Sequence, residues 1–187
     1  MADTGIQPKI ARYGDPVLRE RTRKGTRVTA EVRTLVEHMV EAMRAAHGVG
    51  LAANQLGAAV RLAVVEVEGE LTVLIDPEVA REEGSESADE GCLSLPRLYG
   101  AVERPARVAV RARDLSGKRF VLEAEGLLAR ALAHEIDHLN GKLFIDKADP
   151  TTLYWLIGHT EEGEPITQPT TLEEALRVFT AAKAAHG

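Results

Sequence analysis

Between residues 29 and 46 apolar side chains recur every three or four positions. Val32, Leu35, Val36, Met39, Val40 and Met43 would share one helical face, with Thr29 able to cap its start and Gly48 to end it. The period then changes. Arg61 to Glu68 and Leu71 to Ile75 read as strands joined by a short turn containing Gly69, and Asp76-Pro77 breaks the pattern. Arg107 to Arg113 alternates apolar and basic residues as a half-exposed strand does, Leu115 to Lys118 turns, and Phe120 to Leu122 returns. From Gly126 to Ala133 strong helix formers lead into a second helix, which Asn140-Gly141 stops. Strands that do not alternate regularly with helices predict an α+β fold: one domain of antiparallel or mixed strands around a central helix, with an N-terminal helix and a C-terminal helical tail.

Some segments fit neither period. Gly48 to Gln55 is too poor in β-branched residues for a strand and too rich in glycine for a helix, as if the backbone must pass close to something. Arg81 to Glu90 reads as an acidic loop. Beyond Asp149, Thr151 to Ile157 is apolar and aromatic and Thr160 to Thr170 is polar with two prolines. Thr171-x-x-Glu174 resembles a capping box opening a helix with Leu172, Leu176 and Phe179 on one face. The expected organisation is a catalytic body over residues 1–148 with an extension, 149–187, packed on it, because roughly 35 residues make a poor independent core.

Composition narrows the function. A 187-residue chain with 44% hydrophobic content suits one soluble globular domain. The net charge of −6 argues against DNA or another polyanion as the main partner. The local basic run Arg19, Arg21, Arg23, Lys24 and Arg27 reads as a solvated loop. No stretch approaches the roughly 18 apolar residues of a membrane span, and Met1 to Gly5 lacks a signal-like leader, so a cytoplasmic location is expected. The single cysteine, Cys92, cannot form an internal disulfide and stays available to a site.

The candidate chemistry centres on His134-Glu135-Ile136-Asp137-His138. On a helix the two histidines lie one turn apart on the same face, aimed at one metal ion, and Glu135 sits beside it as a general base for a water. Such a motif needs a third ligand, and Cys92, between Gly91 and Leu93-Ser94 in a loop-like setting, offers a thiolate. One thiolate and two imidazoles leave a fourth tetrahedral position open, the pattern of a catalytic site. Glu90 and Arg104 could support it by pairing with each other or with Asp137, although a surface pair is the commoner outcome. His38, His47, His159 and His186 read as surface or helix-end residues.

Together, Gly48-Val49-Gly50-Leu51-Ala52-Ala53-Asn54-Gln55, Glu90-Gly91-Cys92-Leu93-Ser94 and His134-Glu135-Ile136-Asp137-His138-Leu139-x-Gly141 strongly resemble the peptide deformylases, and Tyr13 to Arg19 looks like their N-terminal segment. The resemblance spans about Ile10 to Asp146. It implies removal of the formyl group from the N-terminal formyl-methionine of nascent polypeptides. Cys92, His134 and His138 would be metal ligands, Glu135 the general acid and base, and Gln55 with the Leu93 N–H the oxyanion donors. It also implies Fe²⁺ as the metal, with Ni²⁺, Co²⁺ or Zn²⁺ as alternatives. Gly48, Gly50 and Gly91 would lie along an extended substrate, and Val49, Leu127 and Ala131 near the methionine side chain. The tail is a candidate for dimer or ribosome contact. Two departures, Asn54 for the usual proline or threonine and Ala133 for a common glutamine, are not ligands, so activity is not put in doubt.

Two rival readings share the same residues. A zinc endopeptidase uses the same helix motif but takes its third ligand after it, and no such extension follows His138. An inactive relative with a structural metal site would be expected to have lost Glu135, Gln55 or Cys92, and all three are present.

Overall fold

The computed structural model describes residues 9–184; His186 lies outside them. Thr29 caps α1 (Ala30–Ala45) by accepting from the Val32 N–H, and the buried face carries Val32, Val36, Met39, Val40 and Met43. Strands β1 (Gly50–Ala52), β2 (Leu62–Val67), β3 (Glu70–Glu83), β6 (Arg107–Arg113) and β7 (Arg119–Glu125) form an antiparallel sheet in the order β1-β2-β3-β6-β7. A second antiparallel sheet has the order β4-β5-β8-β9, from Glu86–Cys92, Leu95–Arg104, Tyr154–His159 and Pro165–Pro169. The α+β expectation holds, with α2 (Gly126–Leu139) packed on the first sheet.

The run Leu62 to Val65 is continuously apolar because β2 is covered on both faces. Leu62 and Val64 pack with Met39 and Met43 of α1, while Ala63 and Val65 pack with Leu132 and Ile136 of α2. A third core joins Leu18, Leu95, Leu98, Val102, Phe144, Leu153 and Phe179.

Several segments differ from their sequence reading. Gly48 to Gln55 does contain regular structure: β1, an edge strand, followed by the short 3₁₀ turn Ala53–Leu56. The acidic segment Arg81 to Glu90 is no loop but the end of β3 and most of β4, joined at Gly84-Ser85. Its charges alternate on a solvated strand and find partners there, Arg81 with Glu123 and Glu83 with Arg107. Asp76-Pro77 does not end the strand. The register shifts between Ile75 and Glu78, a bulge that takes the proline out of the ladder. Asp76 pairs with Arg113 across it, and the Pro77 carbonyl accepts from Arg61.

The polar stretch 160–170 likewise contains β9, a fully exposed edge strand whose two prolines stand at its ends. β8 joins the second sheet through Leu98↔Trp155 and Tyr99↔Tyr154. α3 (Leu172–Ala184) opens with a reciprocal capping box: the Glu174 N–H donates to Thr171 Oγ1 and the Thr171 N–H to Glu174 Oε2. Phe179 then packs on Trp155 and Tyr13, with ring centroids 5.4 and 6.0 Å away. No helix among the described residues is long and apolar enough to cross a membrane.

The C-terminal end of α2 is held by residues distant in sequence. The Leu139 carbonyl accepts from the Thr22 N–H and hydroxyl and from Arg61, and the His138 carbonyl accepts from Asn54 at 2.7 Å. These bonds satisfy carbonyls that a helix end leaves unpaired. Gly141 then turns the chain with φ of 74°, and a Cβ there would stand 2.5 Å from the Arg19 carbonyl oxygen. Gly141→Ala is therefore expected to lower stability by about 3 kcal/mol, through left-handed strain plus backbone displacement. Gly117→Ala, with φ of 85° and open space around its Cβ, should lose only about 1 kcal/mol. Thermal unfolding of the two variants checks this, and equal shifts would refute the close-approach argument.

Candidate active site

α2 presents His134 and His138 on one face, with ring centroids 5.0 Å apart. β4 ends at Cys92, which pairs with Leu95 across a tight turn, so the thiol sits at a strand end rather than in a free loop. Cys92 Sγ lies 3.1 Å from His138 Nε2, and one donor atom from each of Cys92, His134 and His138 falls within 4.8 Å of the others. Sulfur and imidazole donors at such spacing suit Fe²⁺, Co²⁺, Ni²⁺ or Zn²⁺ better than Mg²⁺ or Ca²⁺. The residues fit a cation in a second way. Beside this triad Glu135 is buried and its Oε2 has no hydrogen-bond partner among the described residues, a costly state unless the carboxylate serves a water or a bound group.

Electrostatics reinforce that fit. Burial would raise the Cys92 thiol, but His138 and His134 prevail and hold it well below the usual thiol range. Burial lowers His134, yet Cys92 and Glu90 bring it up to about 10. The Cys92 thiolate and the Glu90 carboxylate thus surround the imidazoles with negative charge, an environment that favours a cation; a divalent ion would take the imidazoles in their neutral form. Glu135 is raised, chiefly by burial, and the two histidines only partly offset this.

Behind the ligands lies a buried ionic network. Glu90 accepts two bonds from Arg104, at 2.8 and 2.9 Å, one from Arg130 at 2.8 Å, and one from His134 Nδ1 at 3.0 Å. The last bond fixes the His134 ring and leaves Nε2 for the site. Arg104 also bonds Asp137 at 2.5 Å, and Lys147 reaches the same carboxylate at 2.6 Å. The surface pair suggested by frequency is thus wrong here: Arg104 and Glu90 are 2% and 5% exposed, because β4, β5 and α2 close over them. Burial raises the Glu90 carboxyl, but Arg104 and His134 outweigh it and hold it well below the carboxylate range.

Gln55 stands opposite. Its Oε1 accepts from the Ala52 N–H at 2.9 Å, which fixes the amide so that Nε2 faces Ser94 Oγ at 3.1 Å and Cys92 Sγ at 3.8 Å. The Ser94 N–H also points to Cys92 Sγ, at 3.4 Å. The Leu93 carbonyl accepts from Arg12, while the Leu93 N–H has no acceptor among the described residues. A Cβ on Gly50 would stand 2.5 Å from Glu135 Oε1, so the glycine makes room for that carboxylate. Gly48 and Gly91 abut the side chains of Leu93 and Tyr99 in the same way.

Gln55, Glu90, Cys92, Leu93, His134 and Glu135 line one cleft of about 520 Å³ with Gly48, Gly50, Gly91, Val49, Leu127 and Ala131, while His138, Ser94 and Arg104 lie buried behind them. Val49 and Leu127 are 44% and 55% exposed, and Ala131 is buried. Sequence reasoning did not nominate Asn54, which ties the Gln55 turn to the His138 carbonyl, or Ser94 and Arg130, which brace Gln55 and Glu90. The signals for Asn54 were its place as a polar residue among alanines and its departure from the usual proline or threonine.

Residues 7–153 match the family model described as polypeptide deformylase. The chain is 49% identical over 139 residues to a peptide deformylase of Thermoanaerobacter pseudethanolicus, covering 74% of this chain and 87% of that protein. It is 47% identical over 148 residues to one of Desulforudis audaxviator, covering 78% and 95%. Among solved structures, peptide deformylases of Legionella pneumophila (41% identity) and Thermotoga maritima (38%) each superpose with a TM-score of 0.75. Each superposition spans 78% of this chain, with 88% and 99% of the respective structures.

Removing one partner from the buried network should be expensive. Glu90→Gln and Arg104→Met are each expected to lower stability by about 3 kcal/mol near neutral pH, and the double variant by clearly less than the sum. Because the Glu90 carboxyl is depressed in the folded state, its contribution is complete above the ordinary carboxylate range and is lost as pH falls below about 4. The unfolding-temperature gap between the parent and Glu90→Gln should therefore narrow below that pH. A gap that stays constant would refute the assignment.

Proposed function

Because the chain belongs to the peptide deformylase family, we propose that Cys92, His134 and His138 hold its catalytic metal, that Glu135 is its general acid and base, and that Gln55 and the Leu93 N–H receive the developing oxyanion. The protein is a metal-dependent hydrolase that removes the N-formyl group from the formyl-methionine end of nascent polypeptides and releases formate. Our reading takes Fe²⁺ as the native metal and the cytoplasm as its place of action. The observation that carries the residue assignment is the convergence of three N and S donors beside a buried carboxylate with an unpartnered oxygen.

When bound, the cation supplies Lewis acidity, which acidifies a water and polarises the formyl oxygen. Glu135 takes the proton of the attacking water and returns it to the departing amine nitrogen. Its raised affinity for protons, due to burial, suits a group that must accept and then donate. The Gln55 amide, oriented by the Ala52 N–H, and the free Leu93 N–H stabilise the charge that grows on the formyl oxygen, each by about 3 kcal/mol. Glu90 holds the His134 ring, and Asn54 holds the end of the helix carrying His138. Val49, Leu127 and Ala131 supply an apolar wall for the methionine side chain, and Gly48, Gly50 and Gly91 let the substrate backbone approach.

Formate release from formyl-Met-Ala-Ser by protein prepared anaerobically with Fe²⁺ tests the reading. Glu135→Ala should lower kcat by roughly 10³-fold while the protein still binds metal, and Gln55→Ala by about 10²-fold. Cys92→Ala should lose the metal, and chelation should abolish activity until Fe²⁺ or Ni²⁺ is restored. No formate at full metal occupancy, or cleavage of an internal bond in an unformylated peptide, would overturn it.

A further inference from the structure

The cleft is lined by two guanidinium groups that the reaction does not use. Arg97 follows Pro96 just beyond the Cys92 turn and adopts φ of 68°. That left-handed conformation costs a side chain about 1–2 kcal/mol and is ordinarily taken by glycine, so a long cation retained there asks for a role. The side chain is exposed but tethered. Its Nε donates to the Leu156 carbonyl at 2.7 Å, which fastens it to β8. Arg12 arrives from the other wall, donating to the Leu93 carbonyl at 2.5 Å. Neither forms an ion pair with a carboxylate among the described residues.

The acidic groups of the same cleft form no ion pair with them among the described residues, although Asp89, whose partner is a neutral hydroxyl, keeps its charge. Glu90 is buried against Arg104 and Arg130, Glu135 is the proposed base, and Asp89 accepts from the Tyr154 hydroxyl at 2.8 Å. Arg97 and Arg12 therefore remain cations without a carboxylate partner among the described residues beside the substrate site, where opposite charge on a ligand is attracted and like charge rejected.

We propose that Arg97 and Arg12 form an anionic subsite for the substrate chain beyond formyl-methionine, so that peptides with Asp or Glu at the second or third residue are favoured over those with Lys or Arg. This rests on the deformylase reading. Leu156 lies beyond residue 153, where the family match ends, so the extension that follows the shared region sets the position of a specificity residue.

C-terminally amidated peptides exclude the confusion of a free carboxylate. Formyl-Met-Glu-Ala-Ser and formyl-Met-Ala-Glu-Ser amides, with their Lys and Gln counterparts, are compared by kcat/KM. The Glu-to-Lys ratio should be about fivefold at one of the two positions at about 20 mM salt, carried by KM, and should shrink toward one at about 300 mM. Arg97→Gly, a residue its backbone conformation favours, should bring the ratio near one, and Arg97→Glu should invert it. A ratio near one in the parent at both positions, or one that Arg97→Glu leaves in place, overturns the subsite. Formate from the Gln peptides reports separately on the deformylase reading. Equilibrium binding of the Glu and Lys peptides to metal-loaded Glu135→Ala gives the same ratio without turnover, so each idea can fail alone.

Discussion

Everything at the site depends on one buried ion cluster. Glu90 lies at the end of β4, Arg104 at the end of β5, and Asp137 and His134 on α2, so their contacts bind the second sheet to the helix that rests on the first. Buried charges are stabilising only when fully partnered, and here each carboxylate has at least two cationic partners. The cluster therefore acts less as a source of stability than as a registration device. It brings the Cys92 strand end to the His138 turn, and with the Gln55–Ser94 hydrogen bond it adds directional polar contacts to the apolar packing that fixes the two sheets.

Much of this was legible in the sequence because the chemistry is local in sequence. The helical spacing of His134 and His138, and the stop at Asn140-Gly141, follow from an α-helical period that local residues dictate. The α1 face likewise follows from its own apolar spacing. What could not be read was decided by pairing between distant segments. β4 looked like an acidic loop because its partner strand, not its own apolar pattern, makes it a strand. β9 is exposed on both faces and exists through its pairing with β8. Asp76-Pro77 looked like a break because a bulge leaves no local signature apart from the proline itself. The depth of Arg104 was invisible for a related reason: charge identity says nothing about what closes over it.

The glycines show the same division. Their presence between Gly48 and Gly50 signalled close approach, and close approach is what the structure has, but the nearest neighbours are the enzyme's own Leu93 and Glu135 side chains. The segment thus combines two demands, room for the base and an edge strand open to pairing, which a sequence pattern cannot separate.

The capping of α2 has a bearing on how the molecule comes into being. Its final carbonyls are closed by Thr22, 117 residues before Leu139, and by Asn54, 84 residues before His138. Contacts of that span form slowly, since the loop between them must first be closed. During vectorial synthesis Thr22 and Asn54 cannot make these bonds until the end of α2 has left the tunnel, and no piece of chain that stops before His138 can gather its three metal donors. An enzyme that works on newborn chains is thus itself inert for most of its own birth.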